Sequence, residues 1–206
     1  EPCCGAMAAH ANDVSGAHEW ARQLVDALLA KGGDYFVSPI AGCGAQLKDY
    51  AHMMHGTPHE EAAARFQSKV RDISEFLVEL GPVKPEHPLP IRATYHDACH
   101  LAHAQKVISA PRKLLAQIPG LKLVPLPDSD LCCGAAGTYN LTEPAMAGQL
   151  AERKLNTIVS TGAEVCIAGN IGCQMHLQSN AAKRNLAVQF VHPVVLLHEA
   201  VFGLQQ

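Results

Sequence analysis

Two stretches of this chain carry the same four residues, Cys3-Cys4-Gly5-Ala6 and Cys132-Cys133-Gly134-Ala135. Each is followed by a second shared landmark, Gly42-Cys43 with Leu47 in one case and Gly172-Cys173 with Leu177 in the other. The offset is 129 for the paired cysteines (132 − 3) and 130 for the later landmark (173 − 43). A nearly constant offset is the mark of a duplicated structural unit. Subtracting 129 from Cys99 gives −30, so the counterpart of Cys99 in the first repeat falls before residue 1. The start, Glu1-Pro2, has no initiator Met, basic n-region or apolar signal core, and the chain therefore reads as the interior of a longer frame. The expectation is four cysteines per repeat, one alone, an adjacent pair and one after a glycine, complete only in the second repeat.

Eight cysteines in 206 residues fall well short of the density of small disulfide scaffolds, and a 22.0 kDa chain can bury a core without covalent staples. Metal binding or thiol chemistry explains them better. With 16 Lys and Arg against 19 Asp and Glu the net charge is −3, which gives no electrostatic footprint for nucleic acid. No run approaches the roughly 18 uninterrupted apolar residues of a membrane span, since even the tail from Val188 is broken by His192, His198 and Glu199.

Short β-rich runs alternate with amphipathic stretches, the pattern of an α/β fold. Strands are predicted at Tyr35-Val37, Arg92-His96, Lys122-Leu126, Glu164-Ala168 and Ala187-Val191. Helices are predicted over 17–30 with Trp20, Leu24 and Leu28 inward, over 145–159 with Met146, Leu150, Leu155 and Ile158 at helical spacing, and from Pro193 onward. Thr57-Pro58-His59-Glu60 has the form of a capping box with Pro at the first helical position, which predicts a helix to about Val70. Four prolines within 81–90 exclude a regular element there. That segment is expected to link a truncated first repeat, 1–80, to a complete second repeat, 91–206. Cys43, Cys99, Cys132, Cys133 and Cys173 each follow a predicted strand, in loops at the carboxyl ends of parallel strands where open α/β sheets place their sites. Cys166 instead sits inside an apolar strand run and reads as core.

Four thiolates select zinc or an iron-sulfur cluster over harder cations. Adjacent cysteines point in different directions and suit a compact cluster better than one small tetrahedral ion, and the short Cys-x₂₋₄-Cys knuckles usual for zinc are absent. Zinc, redox-active thiols and a purely structural role remain the alternatives. His96, His100 and His103 crowd around Cys99, and His96, beside the strand end, is a candidate metal ligand. His52, His55 and His59 have helical spacing but are interrupted by Gly56-Thr57-Pro58, so a shared site is not expected. No Gly-x-Gly-x-x-Gly, Walker or Gly-x-Ser-x-Gly motif is present to support nucleotide binding or a serine nucleophile.

Tyr95-His96-Asp97-Ala98-Cys99-His100-Leu101, Leu131-Cys132-Cys133-Gly134-Ala135-Ala136-Gly137 and Gly169-Asn170-Ile171-Gly172-Cys173 resemble the cysteine-rich CCG domain. That domain occurs twice in the cysteine-rich component of heterodisulfide reductases and in the iron-sulfur subunits of glycolate oxidase, anaerobic glycerol-3-phosphate dehydrogenase and L-lactate utilisation systems. Pro111-Arg112 and Tyr139-Asn140-Leu141 bring the sequence nearest to the glycolate oxidase iron-sulfur subunits. The resemblance implies two α/β repeats in the carboxy-terminal half of a subunit whose amino-terminal part carries ferredoxin-like clusters. It implies an iron-sulfur cluster of the 4Fe-4S type held by Cys99, Cys132, Cys133 and Cys173, with Cys3, Cys4 and Cys43 as three ligands of a first-repeat centre. It also implies an FAD-binding partner that oxidises a 2-hydroxy acid such as glycolate, while this chain, with no catalytic residue of its own, passes electrons toward a quinone. The implied location is the cytoplasm, with peripheral docking on the inner face of the cytoplasmic membrane as an extension. The family's last element is Cys-x-x-Cys, but its first position here is Ile40 in one repeat and Asn170 in the other. That departure argues against a five-cysteine cluster and the disulfide chemistry that goes with it. A heterodisulfide-reductase-like thiol-disulfide enzyme and a zinc-stabilised docking module stand as the competing functions.

Overall fold

A computed structural model describes residues 2–203, so the outermost residues of the expected repeats, 1 and 204–206, lie outside the described residues. The first half runs α1 (Ala6–His10), α2 (Val14–Lys31), β1 (Phe36–Ser38), α3 (Ala41–Leu47), α4 (Tyr50–Met53), α5 (Glu60–Ser68), β2 (Val70–Asp72) and α6 (Ile73–Leu80). After a segment without helix or strand over 81–90, the second half runs β3 (Arg92–His96), a π-helical turn (His100–Ala104), α7 (Ser109–Leu115), β4 (Lys122–Val124) and α8 (Tyr139–Thr142). It closes with α9 (Pro144–Ser160), β5 (Val165–Ala168), α10 (Ile171–Lys183), β6 (Gln189–Val191) and α11 (Pro193–Phe202).

The strands form two sheets that are parallel throughout, β1-β2 and β4-β3-β5-β6, as the alternation of strand and helix requires. Side-chain alternation along the central strands separates two apolar layers. Val165 and Ile167 of β5 join Ala93 and Tyr95 of β3 on one face, packed by Leu114, Leu115, Leu196 and Leu197. Cys166 points to the opposite face, among Leu155, Ile158 and Leu177, and is fully buried there. A third cluster around Tyr50, Phe66, Leu24 and Val25 forms the core of the first half. Each such side chain taken from water contributes about 1.5–3 kcal/mol, the main term available to a chain with free thiols.

Several local expectations require correction. Thr57 does not cap a helix: α5 begins at Glu60, whose carboxylate turns back to the Gly56 amide and the His55 ring instead of capping a Thr57-led turn. His55 and His52 are exposed, and no metal-like grouping joins them to His59 among the described residues. Val70, expected to end that helix, opens β2, a strand too short to show an alternating pattern in the sequence. Trp20 and Met146 stay partly exposed, at 41% and 47%, because their helices bury small residues: Ala17 and Ala21 on α2, Ala147 and Ala151 on α9. β3 spans the expected residues and β1 is shifted by one residue to leave out Tyr35, whereas β4, β5 and β6 are shorter than expected, with residues 125–126, Glu164 and 187–188 outside them.

Candidate metal centre

The order β4-β3-β5-β6 reverses direction between β3 and β5, and the crevice at the carboxyl ends of those two strands is where an open parallel sheet gathers a site. Chain leaving β3 brings Cys99 to the head of the π-helical turn, chain leaving β4 brings Cys132 and Cys133, and chain leaving β5 brings Cys173. Cys43 and Cys173 were expected in loops but occupy the third position of α3 and α10, after the extended residues Ile40 and Asn170. The duplication is thus visible in the backbone: β1 leads into α3 as β5 leads into α10, with the cysteine in the same helical turn.

The paired-cysteine loops match in the same way. Gly5 has φ 73° and Gly134 φ 94°, and their amides donate to the sulfurs of Cys3 (3.4 Å) and Cys132 (3.3 Å). At Gly134 a Cβ atom would lie 2.5 Å from the Ala147 carbonyl oxygen, so both the conformation and the space demand glycine.

In the second half the thiols form a continuous series, Cys99 beside Cys132, Cys132 beside Cys133, and Cys133 beside Cys173. Donation from the Cys133 thiol and then from Cys99 pulls Cys132 far below the ordinary thiol range. Donation from Cys133 likewise lowers Cys173 against its burial, with Asn170 adding to the effect, while Cys133 and Cys99 are pushed up. Removing protons from such a group at neutral pH leaves adjacent negative charges that only a cation can balance. The first half repeats the theme with three thiols, where donation from Cys4 lowers Cys43 and raises Cys4 in turn.

Six cysteines, Cys3, Cys4, Cys43, Cys99, Cys133 and Cys173, line one cavity of about 220 Å³. The two expected sites are therefore neighbours. Asn170 joins them, because its amide nitrogen lies 3.4 Å from the Cys173 sulfur while its oxygen accepts from the Gly42 amide (3.1 Å) at the head of α3. The Gly169 carbonyl accepts from Ala41 (3.0 Å), and Gln105 donates to the Ala41 carbonyl (2.9 Å).

A supporting layer lies behind the second group. Arg112 makes a two-pronged bridge to Asp97 (2.6 and 2.7 Å) and lies 4.7 Å over the Tyr95 ring. The Ser129 carbonyl receives the Asp97 amide (3.0 Å), the His96 Nδ1 (3.2 Å) and the Lys154 ammonium (3.4 Å). Lys154, fully buried, also donates to the Asp128 carbonyl. The sequence signal for Lys154 was a charged residue on the apolar face of α9, between Ala151 and Ile158. Ser129 acts through its main chain and left no such signal. Cys166 lies in the strand, pushed up to about 12 by burial, and like Cys132 it does not line the cavity, but unlike Cys132 it is fully buried among apolar side chains.

The donor set fits a thiophilic metal centre. Besides the thiols, the buried Nε2 of His96 has no hydrogen-bond partner, and a ring nitrogen of His96 lies within 4.8 Å of the Cys133 and Cys173 sulfurs. Four thiolates, or thiolates with imidazole, are the ligands of zinc and of iron-sulfur clusters.

A family profile described as a cysteine-rich domain, CCG, matches residues 1–48 and 93–178, the two segments that carry the cysteines. The chain is 33% identical to Lactate utilization protein A of Geobacillus kaustophilus over 200 residues, 96% of this chain and 83% of that protein. It is 37% identical to the Glycolate oxidase iron-sulfur subunit of Escherichia coli over 187 residues, 86% of this chain, and 33% identical to the Probable glycolate oxidase iron-sulfur subunit of Bacillus subtilis over 205 residues, 97% of this chain. It spans 44% and 46% of those two proteins.

Proposed function

The chain belongs to the cysteine-rich CCG domain family, and from that premise we propose that it is the iron-sulfur electron-transfer module of a 2-hydroxy-acid oxidising system. The observation that carries this reading is the convergence of Cys99, Cys132, Cys133 and Cys173 at the reversal point of the sheet. These four hold the second-half centre, and Cys3, Cys4 and Cys43 contribute to a first-half centre that faces the same cavity as Cys99, Cys133 and Cys173. A bound cluster, taken here as 4Fe-4S, supplies reversible one-electron storage without acid-base chemistry of its own.

The protein's residues do the rest. Amide donors from Gly5, Gly134 and Asn170 reach the sulfurs and stabilise negative charge on them. Burial of Cys133 and Cys173 keeps water away from the thiolates. No serine nucleophile or flavin motif accompanies the thiols, so substrate oxidation is assigned to an FAD-bearing partner and the electrons to a quinone or similar acceptor. The names of the relatives support glycolate or lactate as the partner's substrate. No helix among the described residues is long and apolar enough to cross a membrane, which fits a module in the cytoplasm or docked at the membrane face.

The test is the metal and acid-labile sulfide content of anaerobically purified protein, with its visible spectrum. Iron with sulfide and a dithionite-bleachable absorbance is the expected result. Zinc without sulfide would replace this reading with a structural docking module. Glycolate or lactate, supplied with the flavoprotein partner, should bleach the chromophore, whereas turnover by the chain alone would overturn the relay role.

A further inference from the structure

Period-two alternation on β3 sends Tyr95 to one face and His96 to the other, the face of the cysteines. His96 is 1% exposed. Its Nδ1 lies 3.2 Å from the Ser129 carbonyl oxygen, a group that can only accept, so the ring proton sits on Nδ1. In a neutral imidazole Nε2 is then a bare lone pair. That atom is buried and has no partner, and a ring nitrogen of His96 shares a 4.8 Å neighbourhood with the sulfurs of Cys133 and Cys173. An orphaned buried acceptor is costly unless something occupies it.

The surroundings hold this tautomer in place. The Asp97 amide and the Lys154 ammonium converge on the same Ser129 carbonyl, fixing the oxygen that orients the ring. A ligating histidine characteristically donates its other ring nitrogen to a carbonyl in this manner.

We propose that His96 is a ligand of the second-half centre, binding through Nε2 beside Cys133 and Cys173 to give a mixed nitrogen and sulfur donor set. This rests on the iron-sulfur reading above. Its consequence is a more positive reduction potential than an all-thiolate site of the same type, because a neutral donor brings no charge of its own. The rival arrangement is an imidazolium that donates a hydrogen bond to a ligated Cys173 sulfur without touching the metal.

The whole chain, reconstituted anaerobically with iron and sulfide and labelled with ¹⁵N only at histidine, would be reduced and examined by pulsed electron paramagnetic resonance. A strong nitrogen coupling of a directly bonded ligand is expected, and its loss in His96→Gln. Weak coupling alone in the unaltered chain, or strong coupling that survives His96→Gln, overturns the ligand assignment and leaves the iron-sulfur reading standing. The first of these needs no variant and so does not depend on His96→Gln folding. If iron and sulfide are not incorporated at all, the iron-sulfur reading falls and the assignment falls with it.

Discussion

The two halves of the molecule build the same corner from the same residues, but they finish it differently. Both place a paired-cysteine loop beside a left-handed glycine and a third cysteine in the first turn of the helix after a strand. In the second half a fourth thiol arrives from β3, a buried histidine faces the group, and Asn170 donates to the Cys173 sulfur. In the first half the position matching Asn170 is Ile40, which has nothing to donate, and the head of α3 takes its hydrogen bonds from the other half instead. The repeats are therefore unequal: one is furnished as a site, and the other leans on it.

That inequality can be broken most directly at the sulfurs. Cys132→Ser or Cys173→Ser should abolish metal at the second-half centre, while Cys166→Ser leaves it bound, measured as iron and sulfide per chain after anaerobic purification. Equal loss in all three would dissolve the distinction between core and ligand cysteines. Cys43→Ser then sharpens the comparison, since it should lower metal content only by the share of the first-half centre and leave the second-half spectrum intact. Simultaneous loss of both would mean that the cysteines around the 220 Å³ cavity hold one shared centre.

A smaller effect is expected from making the second half resemble the first. Asn170→Ile removes both a donor to the Cys173 sulfur and the acceptor for the Gly42 amide. A hydrogen bond of about 1 kcal/mol that favours the more negative, reduced state corresponds to roughly 40 mV for one electron, so the potential should fall by a few tens of mV. Loss of the acceptor, equivalent to loss of a helix cap, should cost about 1 kcal/mol and speed amide exchange at the head of α3. A changed potential with unchanged exchange in α3 would show that the asparagine serves its own half only.

The α/β class was legible, and the cysteines that converge at the sheet's reversal point could be picked out, because each rests on local chemistry: cysteines, glycines and apolar runs declare themselves at fixed spacing. What stayed hidden was made by contact between distant residues. Asn170 could be read only as a missing cysteine, yet it meets Gly42 across 128 positions of sequence. Ser129 acts through a carbonyl that every residue possesses. Trp20 and Met146 misled because hydrophobicity was weighed by size, whereas α2 and α9 approach their neighbours through alanines, and small residues permit the closer packing. Short strands such as β2, three residues long, carry too little pattern to detect.

The smallest expected effect concerns the joint between the halves. His192 caps α11 by accepting the Val194 amide at Nδ1 (3.2 Å), and its Nε2 lies 2.8 Å from the Pro39 carbonyl of the first half, an acceptor. Both bonds are satisfied together only by the neutral ring carrying its proton on Nε2. Burial lowers the His192 pKa, against the opposing pull of the Pro39 carbonyl and the Asp72 carboxylate. A depressed folded-state value means that the unfolded chain binds the proton first as pH falls. The stabilisation is thus fully present above the unfolded value near 6.5 and is lost as pH drops through the folded one. His192→Asn keeps a capping oxygen and does not titrate, so its denaturation free energy should fall less steeply than that of the unaltered protein between about pH 7 and 5, by under about 1 kcal/mol. Because His100 is also lowered by burial and titrates in both proteins, the informative quantity is the difference between the two pH profiles. Parallel profiles would mean that the proton on His192 does not couple the halves, leaving the Asn170, Gly169 and Gln105 contacts to hold first-half α3 against its partner.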